Sequence, residues 1–144
     1  MRQGVFMIVL LLLFPVCSFA QGPDSILGQW YTGEGRSIVE IYKCDTHYCG
    51  KIVWLKYPKD EEGREKVDKE NPDETKRTRP LIGLNILWGF SYEGKDGWKN
   101  GRIYDPKNGK TYSCRMNLDG NTLNVRGYVG FSLLGRTSVW TRKT

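Results

Sequence analysis

A two-residue apolar period recurs along this chain in short runs between turn signals, and it leaves few folds open. From residue 111 to 118 every even position (Tyr112, Cys114, Met116, Leu118) is apolar or aromatic, and every odd position is polar. Side chains along a strand alternate between its two faces, so this period puts those four residues on one face of a sheet. In 122–129, Leu123, Val125 and Val129 share one face, and Thr122, Asn124, Arg126 and Tyr128 share the other. Further strands are expected at 28–32, 37–44, 48–55, 85–92, 97–104 and 135–142, all rich in β-branched or aromatic residues. Gly- and Asn/Asp-containing turns at 33–35, 93–97, 105–109 and 119–121 separate them. Eight or more short strands at this spacing predict an all-β antiparallel barrel or sandwich, and no long segment carries a helical period.

The first 20 residues read differently. Arg2 gives a positive start, residues 5–16 are almost continuously apolar, and Ser18-Phe19-Ala20 puts small residues at −3 and −1 of a cut before Gln21. This is the pattern of a cleavable secretory signal peptide. The apolar stretch is shorter than the roughly 20 residues a spanning helix needs, and Pro15 interrupts it. A lipoprotein reading through Cys17 is disfavoured by the branched Val16 before it, where a small residue is usual. The remaining 21–144 is one domain's worth of chain, expected in the periplasm or outside the cell.

Export sets the cysteine arithmetic. Cys44, Cys49 and Cys114 remain, and two of three should pair in an oxidising compartment. Cys44 and Cys49 flank a polar turn, 45–48, so a hairpin-closing disulfide is expected there. Cys114, on the apolar face of its strand, then reads as a buried hydrophobe.

One segment breaks the strand pattern. Of the 23 residues in 58–80, eight are acids and seven are bases, and Val67 is the lone aliphatic. It reads as a solvated excursion with one short helical turn near 61–66, or else as a lid over a barrel mouth. The mature chain has 21 bases against 16 acids, and outside this segment 14 against 8. The excess positive charge therefore belongs to the strands and tight turns, where it would favour anionic glycans or lipid head groups. A basic balance alone is no specific signal for nucleic acid, and export removes that partner.

Catalytic signals are sparse. His47 is the single histidine. Cys44, His47 and Cys49 have metal-ligand chemistry but lack a fourth ligand, and a disulfide would consume both thiols, so no metal and no cofactor is expected. No phosphate-binding glycine loop appears. Glu40 and Asp105, each beside a strand among aromatics, are the carboxylate pair that would serve an envelope hydrolase. Asp105 in Asp-Pro-x-Asn-Gly reads more simply as a turn residue.

Longer strings carry a family likeness: Val39-Glu40-Ile41 leading to Cys44, then Cys49-Gly50-Lys51-Ile52-Val53-Trp54-Leu55. Asp68 comes next, then Asn71-Pro72-Asp73, Arg79-Pro80-Leu81-Ile82-Gly83, and Tyr104-Asp105-Pro106 with Asn108-Gly109-Lys110-Thr111-Tyr112. Leu123 to Gly130, Leu134-Gly135-Arg136-Thr137 and Trp140-Thr141-Arg142 complete the series. The chain resembles the exported bacterial family of uncharacterised domain DUF2147 over nearly all of 26–142. That resemblance implies a single calycin- or lipocalin-like barrel of about 8–10 strands. Gly28-Gln29-Trp30 resembles the Gly-x-Trp start of calycins, in which the tryptophan plugs the closed end under a basic residue of a late strand. Arg142 is the first candidate for that structural role and Arg136 the second.

A barrel of this size can hold one small ligand. The candidate lining is Trp54, Trp88, Phe90, Tyr104, Arg126 and Tyr128, with Arg126 as a clamp for a carboxylate or phosphate if its face points inward. The expected function is an exported, noncatalytic module for a small amphipathic or anionic ligand. A filled barrel that contacts the cell envelope through its surface or through 58–80 is the alternative, and the carboxylate hydrolase is a third.

Overall fold

A computed structural model describes Pro15 and residues 21–130 and 135–144. The expected signal segment, apart from Pro15, lies outside the described residues. Eight strands form a closed antiparallel barrel in which each strand pairs with its sequence neighbour and β8 returns to β1. They are β1 (Gly28–Tyr31), β2 (Ser37–Cys44), β3 (His47–Leu55), β4 (Asn85–Tyr92), β5 (Trp98–Asp105), β6 (Lys110–Asp119), β7 (Thr122–Tyr128) and β8 (Gly135–Arg142). Among the described residues, no helix is long and apolar enough to cross a membrane.

The two-residue period sets the wall. Met116 pairs with Val125 and Cys114 with Gly127, placing the alternating apolar residues of β6 and β7 on the inner face. Trp98, Met116, Leu123, Val125 and Cys114 are almost wholly removed from solvent. Burial of Cys114 pushes its thiol up to about 12, so it packs as a small apolar group.

One end of the barrel is tied shut by the chain entering it. Residues 21–27, including a 3-10 helix at Pro23–Ile26, cross that end. The Trp30 indole N–H donates to the Ile26 carbonyl at 2.9 Å, and the Trp98 indole to the Pro23 carbonyl at 3.0 Å. Tyr48 donates to Asp24 Oδ1 at 2.6 Å, and Tyr92 to the Gln21 carbonyl. Arg142 Nη2 donates to the Ser25 carbonyl at 2.7 Å and Nη1 to the Leu27 carbonyl at 3.3 Å. Its guanidinium carbon lies 4.3 Å from the centre of a Trp30 ring. Gly28 precedes this contact with φ +117, a backbone shape that side-chain-bearing residues rarely adopt.

The β2–β3 hairpin is tighter than the expected turn over 45–48. Cys44 pairs with His47, leaving Asp45-Thr46 as a two-residue turn with Asp45 at φ 51. Cys44 and Cys49 are disulfide-bonded across it.

The 58–80 segment is solvated, as its composition predicts, with only Asp68 and Asn71 buried, and it is also tied down by local bonds. Lys59 bridges to Glu65 and Val67 to Pro80, and Asp60 Oδ1 accepts from the Glu62 and Arg64 amides, each at 2.9 Å. These bonds make 59–65 a tight bridged turn rather than a helical one; the helical turn falls at Glu74–Lys76, capped by Asp73.

Two substitutions probe the tied end and the packed interior. Arg142→Lys removes the two-pronged donor and its stacked plane, and should destabilise by about 1–3 kcal/mol in urea unfolding with an unchanged slope. Gly101→Ala should cost a similar ~1–3 kcal/mol, because a Cβ there would sit inside the Phe90 ring.

Candidate functional site

The strands leave two unequal ends. Opposite the tied end lie the β1–β2, β3–β4 and β5–β6 connections, with the last residue of β7 and the first of β8. The register makes Ile103 and Tyr112 partners on the inner face, and Gly127 and Arg136 partners beside them. Ser138, opposite Val125, continues that face inward. Ile103, Tyr112, Gly127 and Ser138 are half-buried and Arg136 is exposed, so solvent reaches the inner face at this end. Toward the tied end the interior fills with Trp30, Val39, Ile41, Leu87, Phe90, Trp98, Met116 and Trp140.

The six residues expected to line a ligand cavity are not gathered there. Phe90 is fully buried core, against Gly101. Tyr104 pairs with Thr111, on the face away from Ile103. Trp88 pairs with Arg102, likewise outward and half-buried. Arg126 pairs with Arg115 and Thr137, and Tyr128 with Ser113 and Gly135, so both point out of the barrel. The inward clamp by Arg126 is thus replaced by an outward side chain whose Nη1 donates to Thr137 Oγ1 at 2.9 Å. Alternation explains this: Val125 and Gly127 take the inner face, and Arg126 between them cannot.

Trp54 is displaced by a bulge. Val39 pairs with Ile52 but Ile38 with Trp54, so β3 carries Val53 as an extra residue. An extra residue reverses the facing of the residues after it. Trp54 therefore stands on the outer wall, 41% exposed. Its ring centre lies 6.5 Å from that of Tyr31, nearly perpendicular to it.

Glu40 and Asp105 do not form a catalytic pair. Glu40 faces outward on β2, where Oε2 accepts from Gln29 Nε2 at 3.3 Å and Oε1 lies 3.7 Å from Lys51 Nζ. Asp105 ends β5 and accepts the Lys107 amide at 2.9 Å, serving its turn. Two strands separate them. His47 sits exposed on the hairpin with Nδ1 3.2 Å from Thr46 Oγ1, and the two thiols beside it are consumed by the disulfide.

Sequence reasoning missed the most buried charge among the described residues. Asp68 is wholly inaccessible. Its Oδ1 accepts from Tyr104 at 2.6 Å, and Oδ2 accepts from Asn71 Nδ2 at 2.8 Å and from Arg79 Nε and Nη2 at 3.2 and 3.1 Å. Four donors leave the carboxylate satisfied, as a buried charge requires. Through this cluster 58–80 is strapped against the outer wall of β5. The Glu70 carbonyl lies so close to Gly109, at φ +71, that no Cβ would fit. The strings around Asp68, Asn71 and Arg79 carried a family likeness, but their spacing gave no sign that they converge.

A family model described as an uncharacterised protein conserved in bacteria, DUF2147, matches residues 28–142, a span that takes in the barrel, the strap and the open end. The chain belongs to this family. A DUF2147 chain of this shape is also similar to a solved structure, protein HP1028 from the human pathogen Helicobacter pylori, which is described as belonging to the lipocalin family. The two are 26% identical, the match covers 82% of each chain, and the TM-score is 0.70. No curated protein matches.

The strap and the tied end share a pH signature. Burial, then the hydrogen bond to Asp68, pushes the Tyr104 phenol up to about 12 from 10.0. Burial and Asp24 do the same for Tyr48. Because the folded values lie above the unfolded value, the stabilisation is complete below pH 10 and fades as pH rises through about 12. An ultraviolet tyrosinate titration should show two phenols ionising last, together with unfolding, and Tyr104→Phe should remove one of them.

Proposed function

We propose that this chain is an exported, noncatalytic binding module that holds a small amphipathic ligand at the open end of its barrel. Residues 1–20 are removed in this reading, and the mature chain begins at Gln21. The ligand's apolar part lies over Ile103 and Tyr112, and its polar or anionic part meets Arg136 and Ser138. The observation that carries this is that solvent reaches the inner-face positions Ile103, Tyr112, Gly127, Arg136 and Ser138 at the end that residues 21–27 do not cross. Gly127, with no side chain beside Ile103 and Tyr112, adds room there. The lipocalin-like fold supports the same reading, since barrels of this size hold ligands within their strands. A guanidinium at the rim suits a carboxylate or phosphate because its planar fork meets two oxygens at once. The disulfide fits an oxidising compartment.

A second reading has its own support. The interior toward the tied end is filled by large side chains, which favours contact with the envelope through the outer wall.

Native mass spectrometry of protein prepared gently from an envelope fraction tests the first reading. The expected spectrum contains the chain from Gln21 and a reproducible extra mass that is lost on denaturation and strongly reduced in Arg136→Ala. A bare mass in the wild-type spectrum, with no displacement of an added fatty-acid probe, would overturn it.

A further inference from the structure

Because the Val53 bulge turns Trp54 outward, the outer wall of β1–β3 carries two neighbouring rungs of different chemistry. Tyr31, Ile38 and Trp54 pair across the strands as one rung. Gln29, Glu40 and Lys51 pair across the same strands as the next. The rungs lie two residues apart along β1, roughly 7 Å. Between them runs a groove of about 460 Å³, lined by Gln29, Tyr31, Ile38, Val53, Trp54 and Lys143. That volume lies in the range of small-ligand sites, roughly 300–1,000 Å³.

The polar rung is held in place by its own bonds. Gln29 Nε2 donates to Glu40, Glu40 is paired with Lys51, and Lys143 Nζ donates to Gln29 Oε1 at 3.3 Å. The Lys143 amide also donates to the Gln29 carbonyl at 2.9 Å, which fixes the backbone of that tail against β1. The Gln29 amide and the Lys143 ammonium thus line the groove together with the exposed indole of Trp54, and Glu40 beside them holds the amide.

We infer that this groove binds a glycan, with one sugar ring seated against Trp54 and its hydroxyls on Gln29 and Lys143. Sugar rings present an apolar C–H face and a rim of hydroxyls, each hydroxyl both donor and acceptor. An aromatic face covers the first. The groove supplies both functions the second needs, because the Gln29 amide both donates and accepts and the Lys143 ammonium donates. A purely apolar chain would leave those groups desolvated without new partners, which costs free energy and argues against a lipid tail here. The inference deepens the second reading, contact through the outer wall, and is independent of the barrel mouth.

The test is an NMR titration of the indole N–H resonances with chitotetraose, a linear β-1,4-linked acetamido sugar, and with laurate as the contrasting probe. Trp54 is assigned from Trp54→Phe. Trp30, Trp98 and Trp140, all buried, serve as internal references. The expected result is a saturable shift of Trp54 with chitotetraose, small or absent shifts of the three references, and affinity lowered about tenfold in Gln29→Ala, a change of about 1.4 kcal/mol. Trp54→Ala, read through the backbone amide of Tyr31, should abolish binding, and unchanged reference indoles would establish that the variant is folded. Absence of a saturable Trp54 shift, an equal shift from laurate, or unchanged affinity in Gln29→Ala with the references intact would overturn the inference. Shifts confined to residues of the open end would overturn it and support the barrel-mouth reading instead.

Discussion

The barrel depends on one contact between its first and last strands. β1 is four residues long and meets β8 at only two registered pairs, Trp30 with Arg142 and Tyr31 with Thr141. So short a ladder is a weak seam for closing a sheet. The guanidinium of Arg142 strengthens it by stacking on the Trp30 ring and taking two carbonyls of the entering chain. Stacking of this kind contributes about 0.5–2 kcal/mol, and the charge-assisted hydrogen bonds add to it. The same contact seals the end, because Trp30 and Trp98 then bond to the carbonyls of the 3-10 helix that crosses it.

Sealing one end decides where a ligand site can lie. Tryptophan, phenylalanine and methionine occupy the interior from the tied end upward, while glycines at inner positions 50 and 101 let Leu87 and Phe90 fill the section between. At the opposite end the inner-face positions Ile103, Tyr112, Gly127, Arg136 and Ser138 stay solvent-accessible. The Asp68 strap fastens to the outside of that end, on Tyr104 and Gly109. The strap's charge-rich sequence is thus organised around a single buried carboxylate. An unpaired Asp68 would be costly to bury, so Arg79, Asn71 and Tyr104 are tied to one another's presence.

The fold was legible in the sequence because period two, turn residues and cysteine spacing are local signals. Strands 85–92, 37–44 and 135–142 begin and end where those signals put them, and the disulfide falls at Cys44 and Cys49. The site was far less legible. Which face of β7 is inner follows from its apolar alternation, so the outward course of Arg126 was implicit in Val125 and Leu123. Trp54 was not recoverable in the same way. Its orientation depends on one extra residue in β3, and a bulge has no reliable mark in a run as evenly apolar as Ile52-Val53-Trp54-Leu55. Asp68 was hidden for a different reason: its partners lie 3, 11 and 36 residues away, and only the folded strap brings them together.

The bulge at Val53 has a consequence for how a filled barrel can still recognise something. Without it Trp54 would keep the parity of Ile52 and face the interior. The bulge moves one large aromatic from the inner face to the outer wall, where it is 41% exposed. The positive charge outside 58–80 obeys the same logic, since residues such as Lys51 and Arg126 occupy outward positions between inner apolar ones. Along β7 the period of two puts apolar groups inside and Arg126 outside, whereas the inner-face arginines, Arg136 and Arg142, lie near the two ends of β8. Recognition by aromatic and charged groups together is therefore expected where the period is broken, at bulges and strand ends, rather than along regular stretches of β6 and β7.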